Sequence, residues 1–399
     1  MATDTRPSVR WLTATSWLAL LVFAATSTLI AVSLKHIGDD LQIGFGMRGA
    51  LAPARALVLG AFTLLVGLLG DRFGMRWFLG GGMFVVALSL VGVWQSNGYG
   101  GLLIGLGGVG VGLGALEGLV SPLTADLHPR NVAVHLGVLH GFFPAGLVVS
   151  SFLIGASLDS GVEWRVPFVV VAVPAVVVGA MFLLGAYPAH GHHGPGKERL
   201  RVKAILGNRT FWLLAVAMML TGGCEGSLIY WSPNFLQDQY GVGAKVGAAG
   251  LMAFSAAMAV GRFGMGAIAR SVPLGRLMLG GAVLFVAVTS CAAGIDNLGV
   301  NVACLAGAGL LIACFWPGVL SLATERIGTG SATLLAMLAV AGIAGFGILP
   351  AAIGIVAERF GLRIGLGMVP VTMVVVALIL LIAARSAGAS SAGAPGSAD

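Results

Sequence analysis

Four ionisable residues stand inside stretches that are otherwise apolar: Glu117 within GALEGLVSPL, Glu225 within GGCEGSLIYW, Arg55 just after Pro53, and Arg262. An ion in hydrocarbon is expensive, so groups of this kind face a water-filled cavity or a partner. A carboxyl group in a partly dry cavity can take up and release a proton near neutral pH, which is what coupling to a proton gradient requires. Glu117, set among Gly114, Gly118 and Pro122, is the first candidate for that role and Glu225 the second. An arginine in the same setting can hold a carboxylate through two parallel N–H bonds, which makes Arg55 a candidate for a small organic anion. His140, Tyr230, Trp231 and Asn234 add hydrogen-bonding groups and aromatic faces, so that Arg55, Glu117, His140, Glu225, Tyr230, Trp231 and Asn234 form the candidate substrate-binding set. For each charged member the alternative is a structural ion pair or an interhelical hydrogen bond. For Tyr230 and Trp231 it is a place in the aromatic belt at the membrane surface.

The elements that must position these groups are transmembrane helices. The chain has 399 residues, 58% hydrophobic and only 9% charged, with 63 glycines, a composition foreign to soluble domains. Apolar runs long enough to cross a bilayer are expected at 11–34, 47–69, 77–96, 99–126, 134–157, 165–187, 209–233, 243–268, 276–294, 298–324, 330–356 and 364–385. The fold class is therefore all-α, a polytopic membrane protein with twelve transmembrane helices. The N-terminus, the loops on its side and the C-terminus hold Arg6, Arg10, Arg72, Arg76, Arg130, Lys197, Arg199, Arg201, Lys203, Arg209, Arg262, Arg270, Arg276, Arg326 and Arg385. The opposite side holds only Lys35, Arg48, Arg165, Lys245, Arg359 and Arg363. The positive-inside rule then puts both termini in the cytoplasm of a cell whose inner membrane houses the chain. The first apolar run is too long for a cleaved signal peptide and is expected to stay as a span.

Residues 189–208 are the longest polar segment, with HGHHGPGKERLRVK, and divide the chain into an N-terminal six-helix half (1–188) and a C-terminal six-helix half (209–386); a disordered cytoplasmic tail is expected at 387–399. The halves echo one another: Ser121-Pro122 in the fourth span is matched by Trp316-Pro317 in the tenth. Two pseudo-symmetric halves with a site between them near the midplane follow. The glycine-rich run from Gly105 to Gly114 fits close helix packing, since it lies in an apolar span and follows no strand as a phosphate loop would. His190, His192 and His193 lack carboxylate or cysteine partners, and Cys224, Cys291, Cys304 and Cys314 have no ligand spacing, so neither metal nor cofactor is expected. The net charge of +7 is not gathered on one aromatic-interleaved face, which argues against nucleic acid.

Between the second and third spans stands GLLGDRFGMR, from Gly67 to Arg76. Its pattern G-x-L-x-D-R-x-G-x-R resembles the signature loop of the major facilitator superfamily of secondary transporters. The resemblance implies that Gly67, Asp71, Arg72, Gly74 and Arg76, with Arg262 on the second half, latch the cytoplasmic side, the acidic residue holding the outward-facing state. The stretch around Glu117, with Pro122, the run LGVLHGFFPAG from Leu136 to Gly146, and Glu225 ahead of Tyr230 and Trp231, is similar to the fucose permease branch of sugar and proton symporters. That likeness implies a part for Glu117 in proton and sugar handling, although the acidic residue of the branch's first span has no counterpart between Trp11 and Leu34.

The expected function is secondary active transport of a small polar solute with protons, a sugar ahead of an organic anion. Proton-coupled efflux of drugs or metabolites is the alternative, and a non-transporting scaffold or receptor is the alternative of another class. An enzyme is not expected, because no nucleophile-and-base set, metal motif or phosphate loop is present. The partners expected are a small-molecule substrate, protons and the lipid bilayer, with the chain acting as a monomer.

Overall fold

The computed structural model describes residues 8–188, 202–268, 272–327 and 332–392. Its helices are α1 (Val9–Asp40), α2 (Phe45–Phe73), α3 (Met75–Gln95), α4 (Tyr99–Leu127), α5 (Val132–Asp159), α6 (Val166–Leu184), α7 (Val202–Leu206), α8 (Arg209–Tyr240), α9 (Ala244–Ile268), α10 (Leu274–Gly294), α11 (Leu298–Ile312), α12 (Phe315–Ile327), α13 (Ala332–Phe360), α14 (Leu362–Leu366) and α15 (Met368–Ala392). Among the described residues twelve helical stretches are long and apolar enough to cross a membrane, α11 with α12 forming the tenth and α14 with α15 the twelfth. Stripes such as Val170, Val173 and Val177 on α6 remain exposed, as a lipid-facing surface requires.

The spans fall where the apolar runs predicted them, with instructive differences. Helices α1 and α8 run on to Asp40 and Tyr240 rather than ending near 34 and 233. Their polar last turns are stabilised by pairing with one another, described below. The tenth span breaks at Ala313 and Cys314. Pro317 lacks the N–H that would bond to the Ala313 carbonyl, so a continuous helix would leave that group without a partner. Helix α15 continues to Ala392, past the expected start of a disordered tail at 387. The residues after 392, and most of the polar segment with His190, His192 and His193, lie outside the described residues.

Packing repeats between the halves. Contacts α1 with α5, α2 with α4, α3 with α4 and α3 with α6 in the first half correspond to α8 with α13, α9 with α11, α10 with α11 and α10 with α15 in the second. Across the halves α2 packs on α13, α5 on α9 and α1 on α8, and a two-fold exchange of the halves maps this set onto itself. Glycines permit the closest approaches. A methyl group added at Gly110 would stand 2.5 Å from the Arg55 carbonyl oxygen, and one at Gly114 would stand 2.6 Å from that of Leu59. The glycine-rich run of α4 thus lies directly against the backbone of α2.

Candidate functional site

The two ends of the bundle differ. The near face is the end where α1 begins and α2 ends; the far face carries the α1–α2 turn. At the far face the halves are tied by a polar network. Lys35 Nζ lies 2.8 Å from Asp238 and 3.4 Å from Asp39. Arg48, 9% exposed, lies 3.3 Å from Asp39 and 3.8 Å from Asp238. Arg48 also donates to the Asn234 side-chain oxygen at 3.4 Å, the Tyr230 hydroxyl donates to the Arg48 carbonyl, and the Asn234 amide donates to Asp238. Gln237 donates to the Val32 carbonyl at 3.4 Å. At the same face Glu358 of α13 accepts from the Gly46 backbone N–H at 2.9 Å, placing a carboxylate at the amino terminus of α2 where the helix dipole favours it. Two cations and two anions of α1, α2 and α8 therefore neutralise one another across the boundary between halves.

Helices α4 and α12, symmetry mates whose Pro122 and Pro317 correspond, are not packed on each other. The halves are thus tied by ion pairs at the far face, whereas toward the near face they meet through α5 and α9, where Gly141 lies against Phe263. Along the gap several polar and aromatic groups are only half-buried: Arg55, Glu117, Ser121, His140, Arg262 and Trp316.

The expected site residues whose side chains are described fall in several places. Arg55 of α2 donates through Nη2 to Ser27 Oγ of α1 at 2.7 Å, with its guanidinium 5.7 Å from the centre of the Phe23 ring. No described carboxylate lies within ion-pair distance of it. Glu117 of α4 likewise makes no hydrogen bond or ion pair with a described residue. Because Gly110 is level with Arg55, Glu117 lies seven residues, or ~10 Å, further toward the near face. One turn beyond Glu117 on the same face of α4, Ser121 Oγ lies 3.2 Å from His140 Nε2 of α5. The residue after His140 touches α9: a methyl group at Gly141 would stand 2.7 Å from the Phe263 ring, next to Arg262.

Glu225 and Arg262 belong together. Arg262 Nη2 lies 2.9 Å from Glu225 Oε1, and Glu225 is 3% exposed, so the second half carries a neutral ion pair where the sequence offered two separate charges. Arg262 is spent on this partner and was expected in the near-face latch. Of the other latch residues, Arg76 donates to the Gly185 carbonyl at 2.7 Å and lies over the Tyr187 ring, joining α3 to the end of α6 within one half. Gly74 has φ +86°, a conformation that suits glycine at the turn. Gly67 has open space where a side chain would stand. The side chains of Asp71 and Arg72 lie outside those described. Tyr230, Trp231 and Asn234 do not form a membrane-surface belt: Trp231 is fully buried and donates to the Pro350 carbonyl at 3.0 Å, while Tyr230 and Asn234 serve the far-face network.

Several residues of the gap went unnoticed as candidates. Ser27 and Phe23 hold Arg55, Ser121 holds His140, and Trp316 stands edge-on to Phe346 with ring centres 6.3 Å apart. Ser121 and Trp316, as the two members of the repeated x-Pro pair, carried a sequence signal. At the near face the His128 and His135 rings stack at 3.6 Å, and His128 Nε2 lies 2.8 Å from the Thr13 hydroxyl. Partial burial, and then the neighbouring His135, hold His128 below the ordinary imidazole range. Among the described residues no three His, Cys, Asp or Glu side chains gather as a metal site would require.

Two pseudo-symmetric six-helix halves, tied by ion pairs at one end and holding charged groups at mid-depth, have the architecture of a membrane transporter. Residues 16–346 match the profile of the Major Facilitator Superfamily, and the chain belongs to that family. It is a multi-pass membrane transporter and not an enzyme. Among similar proteins, the protein spinster of Drosophila melanogaster is 24% identical over 52% of this chain and 35% of its own length. The hexuronate transporter of Bacillus subtilis is 22% identical over 53% of each chain. These alignments thus span only about a third to a half of those relatives. Among solved structures, a bacterial homologue of the human lysosomal transporter Spinster, inward-facing and unoccupied, shares the fold with a TM-score of 0.80 at 16% identity, over 96% of this chain and 98% of that one. The fucose:proton symporter of E. coli gives 0.64 at 17% identity, over 93% and 98%.

Proposed function

We propose that the protein carries a small polar solute across the bacterial inner membrane by alternating access, using the proton gradient, with both termini in the cytoplasm and one chain as the working unit. The observation that carries this reading is the pair of unmatched charged groups, Arg55 and Glu117, facing the gap between halves. A structural charge at this depth would be expected to have a partner, as Arg262 and Glu225 do. Glu117 is the coupling acid: protonated it crosses the membrane neutral, and ionised it must be hydrated or paired, so its proton and the rocking of the halves are linked. The two solute classes are a sugar and a small organic anion. The hexuronate transporter named above supports polar, carbohydrate-like cargo.

The aromatic contacts around the gap, Trp17 stacked on Phe142 at 5.1 Å and Trp316 against Phe346, favour one other reading, proton-coupled efflux of an apolar solute. Proteoliposomes with an imposed pH gradient separate these. Uptake of a sugar or carboxylate that collapses with a protonophore supports symport. Proton-driven expulsion of lipophilic cations alone would favour efflux, and the absence of any driven flux would defeat both.

A further inference from the structure

We infer that the transported solute is a monocarboxylate, held by Arg55; this rests on the transport reading and narrows its substrate class. The guanidinium is pre-set for such a ligand. Its helix is clamped on two sides, by Gly110 of α4 against the Arg55 carbonyl and by Gly347 of α13, where an added methyl group would stand 2.9 Å from Pro53 Cα. Ser27 Oγ takes one N–H at 2.7 Å and the Phe23 ring lies beside the charge, fixing the plane of the group. The remaining N–H donors have no carboxylate among the described residues. Two other arginines enclosed between helices are matched, Arg48 by Asp39 and Asp238 and Arg262 by Glu225.

Charge balance selects the ligand. A neutral sugar would enclose the Arg55 cation without compensating it when the halves close. A dianion would leave an excess negative charge in a gap whose other unmatched group, Glu117, is itself an acid. A single carboxylate cancels the cation, and its two oxygens fit the planar guanidinium fork. Glu117, ~10 Å nearer the near face along α4, is then free to carry the coupling proton at a separate place. Ser121 and His140, one turn beyond Glu117, lie on that proton side and not on the anion side.

The test uses the full chain in proteoliposomes and in thermal-shift assays. The probes are D-glucuronate, D-gluconate, L-lactate and benzoate, the methyl esters of the first and last, D-glucose, L-fucose and tetraphenylphosphonium. At least one carboxylate should stabilise and be transported while its uncharged ester or matched sugar is not. Arg55→Lys, which keeps the charge but loses the fork, should weaken that carboxylate's binding about tenfold or more, and Arg55→Gln should abolish it. Without ligand, Arg55→Gln should melt no earlier than the parent, which shows that the variant folds. Transport of neutral sugars or of the lipophilic cation alone, or carboxylate binding unchanged in Arg55→Gln, overturns the inference while leaving transport itself standing. If no probe of any class is bound or moved, the transport reading fails and this inference with it.

Discussion

Removing the charge of Asp238 should tip the molecule away from the far-face-closed arrangement. Asp238 is the anion of α8 that faces both Lys35 at 2.8 Å and Arg48 at 3.8 Å, and Asp238→Asn keeps its shape while leaving those two cations with Asp39 alone. The Lys35 pair is partly exposed, with about a third of the lysine side chain open to solvent, so it is worth no more than ~1 kcal/mol. Arg48 is nearly buried but keeps its contact with Asp39, so its loss adds a comparable ~1 kcal/mol rather than the several kcal/mol of an abandoned buried charge. When the far face is open these groups are hydrated and the substitution costs little, so the whole loss falls on one state. A shift of ~1–2 kcal/mol is roughly a 5- to 30-fold change in the ratio of the two populations. Spin labels at Gln42 and Gln239, on the far-face ends of the two halves and in a background with the four native cysteines replaced, would read this as a growing long-distance component. An unchanged distance distribution in both Asp238→Asn and Lys35→Met would refute the role given to this network.

The other expectations concern coupling, latching, packing and pH. Glu117→Gln should abolish accumulation against a gradient in proteoliposomes while counterflow exchange survives; persistent accumulation would move the coupling role elsewhere. Asp71→Asn should favour inward opening and slow turnover, as read by cysteine accessibility from the near face together with flux. Gly345→Ala and Gly309→Ala would drive a methyl group into the carbonyls of Met219 and Phe254, so each should lose ~1–3 kcal/mol and melt earlier in detergent, whereas Gly81→Ala, with open space around it, should be neutral or stabilising. Because the fold holds His128 below its ordinary value, its contribution is intact above pH ~6.5 and is lost as pH falls below that. Apparent melting temperature should therefore drop more steeply on acidification in the parent than in His128→Gln.

The twelve spans were legible in the sequence because each depends on a local property, the length of an apolar run. Glu117 and Arg55 were legible for the same reason: a charge within such a run must be accounted for wherever its helix lies. Pairing was not. Lys35, Arg48 and Asp39 read as ordinary charges at span ends, and only the meeting of α1, α2 and α8 makes them a closure; Arg48 meets Asn234 from 186 residues away. Arg262 stands near the end of its run and looked like a partner for the near-face turn, yet it reaches Glu225 on the neighbouring helix. Sequence gives the depth of a group along its own helix, whereas a partner also requires the rotation of that helix and the identity of its neighbour. This bears directly on substrate class. Two glutamates and a buried arginine within the membrane read as one pool of polar machinery, which favoured a polar solute over a lipophilic one. Once Arg262 and Glu225 pair with each other, Arg55 is left without a carboxylate among the described residues, and that is the ground for proposing an anion over a sugar.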